Sequence, residues 1–133
     1  MLKHWSVTQT TVTLSSAESE LSGICKGSSV SLGLLSIARD LGFQWGLVVE
    51  TDATAAIGIS RRRGLGKVRH LAVADLWVQD RVRSGDFALR KVPRSENASD
   101  ILTKHVERPL LLKHLGKMGL EKQEGRSALA PTI

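Results

Sequence analysis

Residues 46–51 (Gly-Leu-Val-Val-Glu-Thr) and 87–92 are short strand-like runs, and the chain between them carries helical periodicity. Parallel strands need a crossover of roughly a dozen residues or more, most often helical, whereas antiparallel neighbours need only a tight turn. This pattern therefore restricts the chain to an α/β architecture with parallel crossovers. The first run is apolar enough to read as a buried strand. Asp52 follows it directly, and a short helix is expected over 53–60.

The flanking chain extends the pattern. Residues 8–15 alternate β-branched types and read as a further strand. Ser15 or Ser16 then caps a long helix, with Glu18 completing a capping box after Ser15. Leu21, Ile24, Cys25, Val30, Leu32, Leu34, Leu35, Ala38 and Leu41 form its broad apolar face. Gly27-Ser28-Ser29 suggests a bend in this helix, and Gly42 its end. Residues 61–70 read as a loop, with Gly64 and Gly66 set between cations. Val73, Leu76, Trp77 and Val82 recur at helical spacing within 71–84, which Gly85 closes, and Pro93 ends the strand 87–92. Asn97 caps a helix over 98–104, and Pro109 opens another through Met118. Residues 121–133 lack periodicity and read as a frayed, disordered tail.

One domain is expected from 133 residues. The 41% apolar and 24% charged content is that of an ordinary globular chain. No uninterrupted apolar run approaches the ~20 residues of a membrane span, and the opening Met1-Leu2-Lys3-His4-Trp5 leads into polar residues. An intracellular location is expected, with nucleus and cytoplasm undistinguished, and no membrane partner. The single Cys25 excludes an intrachain disulfide and a multi-cysteine zinc site. A P-loop and a serine nucleophile elbow are absent too. Trp5, Trp45 and Trp77 read as packing residues.

Glu20, Asp52 and Asp100 each stand at the mouth of an expected helix. Clustered carboxylates of this kind are what a hard cation such as Mg²⁺ requires. Each also has a purely structural reading: Glu20 complements a helix dipole, Asp52 caps a helix, and Asp100 lies three residues after the Asn97 cap. Glu50 points to the same strand face as Asp52, where it could assist a metal, but a place near a sheet edge or a pairing with an arginine is the plainer reading. The net charge is +6, and Arg61, Arg62, Arg63, Lys67, Arg69 and His70 fall within ten residues, followed by Arg90, Lys91 and Arg94. A cationic cluster of this density suits a phosphate backbone, although solvated surface charge explains most basic runs.

The string LKHWSVTQTTVTLSSAESEL resembles a segment of copia-type retrotransposon polyproteins. DATAAIGISRR and KVRHLAV…LWVQDRVRSGDFALRKVPRSENASDILTK continue the resemblance across about residues 2–105. It is to the ribonuclease H domain of such polyproteins, and it implies a ribonuclease H-like mixed sheet flanked by helices over residues 1–120. The activity implied is cleavage of the RNA strand of RNA–DNA hybrids, with the reverse transcriptase part of a polyprotein as a further partner. Four carboxylates in that family hold two Mg²⁺ or Mn²⁺ ions about 4 Å apart. By motif, Glu20, Asp52 and Asp100 match three of the four as catalytic and metal-binding residues, and the cations of 61–70 would contact phosphates of the hybrid.

The pattern departs from the family in three places. Ala53 replaces an Asn, Ala72 replaces an Asp, and the first catalytic Asp would lie before Met1 on the central strand of the sheet. The expectation is a partial domain lacking that strand. Strand 8–15 then either pairs directly with strand 46–51 or leaves a vacant slot. Loss of one ligand also admits a second reading, a non-catalytic basic module that binds nucleic acid or docks onto a reverse transcriptase. A third is a degenerate transposon relic.

Overall fold

A computed structural model describes residues 15–64 and 73–121, together with Lys3, residues 5–7, Gln9, Thr13 and Gly125. Two compact units make up the chain, Thr8–Ser95 and Met1–Val7 with Glu96–Ile133. The architecture is mixed α/β, with four α-helices and a small two-stranded parallel sheet among the described residues.

The first unit begins with α1, Ser16–Asp40. Ser15 stays extended as its N-cap, and its Oγ accepts a hydrogen bond from the Glu18 N–H at 3.3 Å, the contact expected of a capping box. The helix runs unbroken through 27–29, where a bend was expected. There the buried Ser28 hydroxyl donates to the Ile24 carbonyl at 2.7 Å, so a polar group sits in the interior without an orphaned donor. Leu21, Ile24, Ser28, Leu35 and Ala38 are buried at spacings of three, four and seven, which places them on one face. By length and composition alone α1 is apolar enough to cross a membrane, because neutral Ser and Gly dilute its charge rather than its apolar stripe. Its one-sided burial is the pattern of a helix packed on a core. Gly42, at φ 87°, takes the left-handed conformation that ends α1, and the Phe43 N–H turns back to the Ala38 carbonyl at 2.9 Å.

From there the chain passes through β1 (Val48–Thr51), α2 (Thr54–Arg61), α3 (Val73–Ser84) and β2 (Ala88–Lys91). β1 and β2 pair in parallel, Val48 opposite Ala88 and Thr51 opposite Lys91, so α2 and α3 form the crossover. Gly85, at φ 77°, closes α3 as its position in the sequence indicated. Leu21, Ile24, Ala56, Ile59, Val78, Phe87 and Leu89 make one core cluster between the helices and the inner face of the sheet. Trp77 packs against it. β1 is buried on that face only, which corrects the reading of 46–51 as a fully buried strand: Val49 and Thr51 turn inward while Val48 and Glu50 are exposed. A Glu50–Arg90 ion pair bridges the two strands on the outer face, the Arg90 Nε donating at 3.0 Å. Trp45 likewise departs from its packing role; it is 53% exposed and stacks on Phe43 with ring centroids 5.0 Å apart.

In the second unit Asn97 caps a 3₁₀ turn, Ala98–Leu102, its Oδ1 accepting from the Ser99 N–H at 3.3 Å. The α-helix expected over 98–104 is thus a shorter and tighter element. Pro109 lies in the first turn of α4, Arg108–Lys117, where its missing N–H costs no hydrogen bond. Lys113 forms an ion pair with Glu96, and the Lys117 ammonium donates to the Glu96 carbonyl at 2.9 Å. His114 is fully buried between these lysines on α4. The strand expected over 8–15 falls mostly outside the described residues, as does the tail 121–133.

Candidate functional site

Asp52 leaves the carboxyl end of β1, the end at which open parallel sheets gather their active groups. It does not cap α2. Ala53 holds the N-cap position without a side-chain bond, and the Ala53 N–H is satisfied instead by the buried Thr51 hydroxyl at 3.2 Å. Capping, the structural alternative for Asp52, is therefore not its role, since α2 has no side-chain cap.

Glu20 lies in the second turn of α1 and is exposed. Next to it, Leu21 is wholly buried in the cluster that Ala53, the residue after Asp52, packs against. Glu20 thus stands beside a member of this cluster at the start of α1, and Asp52 beside a residue packed against it at the start of α2. Neither takes a hydrogen bond or an ion pair among the described residues. Ser19, on the other side of Glu20, is clamped by Gln9, which donates Nε2 to the Ser19 carbonyl at 2.8 Å and accepts from its hydroxyl at 2.9 Å. That clamp steadies the turn that carries Glu20, and nothing in the spacing of the sequence announced it.

Asp100 belongs to the second unit, on the 3₁₀ turn, with Lys104 donating to its Oδ1 at 2.8 Å. No group of three or more His, Cys, Asp or Glu is placed to hold a metal ion among the described residues. Glu20 and Asp52 take no partner among the described residues, and Mg²⁺ commonly takes one or two carboxylates, keeps several waters and shares substrate phosphate.

The cations divide by place. Lys91, exposed and opposite Thr51 in the register, stands one strand away from the Asp52 position, and exposed Arg94 follows on the same chain end. Arg61, Arg62 and Arg63 lie at the far end of α2, about 11 Å along its axis from Thr54. Arg61 is structurally committed: its guanidinium donates to the Leu89 carbonyl at 2.9 Å. The amides of Ala88 and Val92 bond to β1, so Leu89 presents its carbonyl on the opposite edge of β2, and Arg61 covers that edge. Arg62 is half-buried and Arg63 exposed. Lys67, Arg69 and His70 lie outside the described residues.

Gln79 organises the turn after α2. It is 3% exposed, and its Nε2 donates to the Ile59 and Gly64 carbonyls, each at 3.0 Å. Ile59 is in the last turn of α2, where carbonyls lack intrahelical partners, so Gln79 acts as a C-cap supplied from α3. The signal available in sequence was a polar residue beside the apolar Trp77 and Val78 of a helix.

Among the described residues two carboxyls, Glu96 and Asp86, show a resolved electrostatic shift. The hydrogen bond and charge of Lys113 hold Glu96 below the ordinary glutamate range. Hydrogen bonds from Arg81 and then Ser84 lower Asp86 in the same way. No protein-family profile, curated protein or solved structure matches the chain.

Proposed function

We propose that the chain is a ribonuclease H-type hydrolase part, with a ribonuclease H-like fold, which acts on the RNA strand of RNA–DNA hybrids. The observation that carries this reading is the pair Glu20 and Asp52, two carboxylates that take no partner among the described residues, Glu20 beside the core residue Leu21 and Asp52 at the carboxyl end of β1. The resemblance to copia-type polyproteins through SSAESEL, DATAAIGISRR and ENASDILTK supplies the substrate. Glu20 and Asp52 would hold Mg²⁺ or Mn²⁺ by hard oxygen atoms. Such an ion, when bound, lowers the pKa of a coordinated water and offsets charge that develops on phosphate oxygens. Lys91 and Arg94 contribute cations near the Asp52 end of the sheet, where they would position a strand by its phosphates without reading its sequence. Arg63 reaches phosphates farther along the duplex.

The absence of a third metal-binding side chain at the Glu20–Asp52 pair, among the described residues, favours a second reading. In it the chain is a basic module that binds hybrid without cutting it. A labelled RNA–DNA hybrid incubated with purified chain in Mg²⁺ or Mn²⁺ separates the two. The hydrolase reading expects RNA-strand cleavage that falls to background in Asp52→Asn and in Glu20→Gln. Salt-dependent binding without cleavage selects the binding module, and a folded chain that does neither overturns both.

A further inference from the structure

Eight large apolar residues are exposed among the described residues, and five of them fall within twelve positions: Ile37, Leu41, Phe43, Trp45 and Val48. The other three are scattered singly, as on most protein surfaces. Ile37 and Leu41 share a face of the last turn of α1, the hydrogen bond from Phe43 to Ala38 folds the chain back against that turn, and Trp45 stacks on Phe43. Local structure therefore gathers them at one end of the helix. We propose that this end of α1, with the 41–48 connection, is a self-association surface that takes a second copy of the chain.

Charge and area select that occupant. Residues 41–49 carry no charged side chain in a chain of net charge +6, and the adjacent exposed Arg39 and Asp40 are of opposite sign, so two copies can meet here without a net excess of like charge. From their exposures, the five residues present roughly 500–600 Å² per copy, at the upper end of what monomers expose, so two copies bury at most about 1,000–1,200 Å², the size of a small, weak interface. A two-fold axis through Trp45 makes the patch its own complement. The half-exposed, stacked aromatic pair supplies the rigid anchors on which interface energy concentrates. The surface lies at the amino end of β1, whereas Asp52 leaves its carboxyl end, so pairing leaves the acidic site open.

Sedimentation equilibrium of the full chain from low to high micromolar concentration tests the inference. The expected result is a monomer–dimer equilibrium whose dissociation constant rises by about tenfold or more in Leu41→Glu/Trp45→Glu, because four carboxylates then face one another at the axis. Leu112→Glu, at an exposed leucine outside the patch, leaves the equilibrium unchanged. An unaltered chain that stays monomeric throughout overturns the proposal, whether or not the double variant folds. So does a double variant that still dimerises. Monomeric chain that co-floats with neutral phosphatidylcholine vesicles also overturns it, and assigns the patch to lipid.

Discussion

Replacing Gln79 by Leu removes the link that ties α2 to α3, and its cost can be worked from two bonds. Gln79 Nε2 donates at 3.0 Å to the carbonyls of Ile59 and Gly64, and the side chain is 3% exposed. Each bond contributes about 0.5–1.5 kcal/mol net. The Ile59 carbonyl, in the buried last turn of α2, is then left unsatisfied at a further 1–3 kcal/mol or so, whereas the Gly64 carbonyl can take up water. Leucine fills nearly the same volume and returns about 1 kcal/mol of apolar burial. The expected net loss is about 3 kcal/mol, a large share of the roughly 5–15 kcal/mol that holds a domain folded. Urea unfolding followed by far-UV circular dichroism reads the loss as a lower midpoint at unchanged slope. Amide exchange at 62–64 should quicken in the same variant, because Gly64 loses its anchor. A change below about 0.5 kcal/mol, or a gain, would refute the claim that Gln79 caps α2.

Three further outcomes follow from single sites. His114→Leu should raise stability by about 1 kcal/mol or more, since both ring nitrogens are buried without a hydrogen-bond partner among the described residues, and thermal unfolding reads the gain. Glu96→Gln should flatten the acid limb of stability. A carboxyl lowered by Lys113 contributes stability above its unfolded pKa, and that contribution disappears as pH falls through its lower folded value, so an acid titration of unfolding should show the two chains converging below about pH 4. Arg61→Met keeps the aliphatic stem but uncovers the edge of β2, and should promote aggregation on storage, measured by light scattering, with little change in affinity for nucleic acid.

Local chemistry was readable in the sequence wherever a residue acts on its own neighbours. Ser15 caps α1, Gly42 and Gly85 adopt the left-handed turns expected of them, Asn97 opens a turn, and Pro109 sits in the first turn of α4. The pairing of Glu50 with an arginine was readable too, because strand alternation places both on one face. Long-range roles were not. Composition reads Arg61 as one cation of a basic run, yet its partner is a carbonyl 28 residues away. Nothing local distinguishes His114, which is wholly buried, from an exposed histidine, or Trp45, which is half exposed, from a core tryptophan. The unbroken course of α1 through Gly27-Ser28-Ser29 depends on the buried bond from Ser28 to Ile24, which appears only once that face is known to be inside. For the acidic pair, sequence placed Glu20 and Asp52 at helix starts. Leu21 belongs to the core cluster and Ala53 packs against it, which sequence alone did not show.

The central claim is that Glu20 and Asp52 form one cation site, and paramagnetic broadening of backbone amide resonances by Mn²⁺ tests it most directly. At substoichiometric Mn²⁺, residues around 19–21 and 52–54 should broaden together ahead of the rest of the chain, and Glu20→Gln should relieve the broadening around Asp52 as well as around its own position. Broadening confined to one of the two segments, or spread evenly over the acidic residues of the surface, would contradict a shared site.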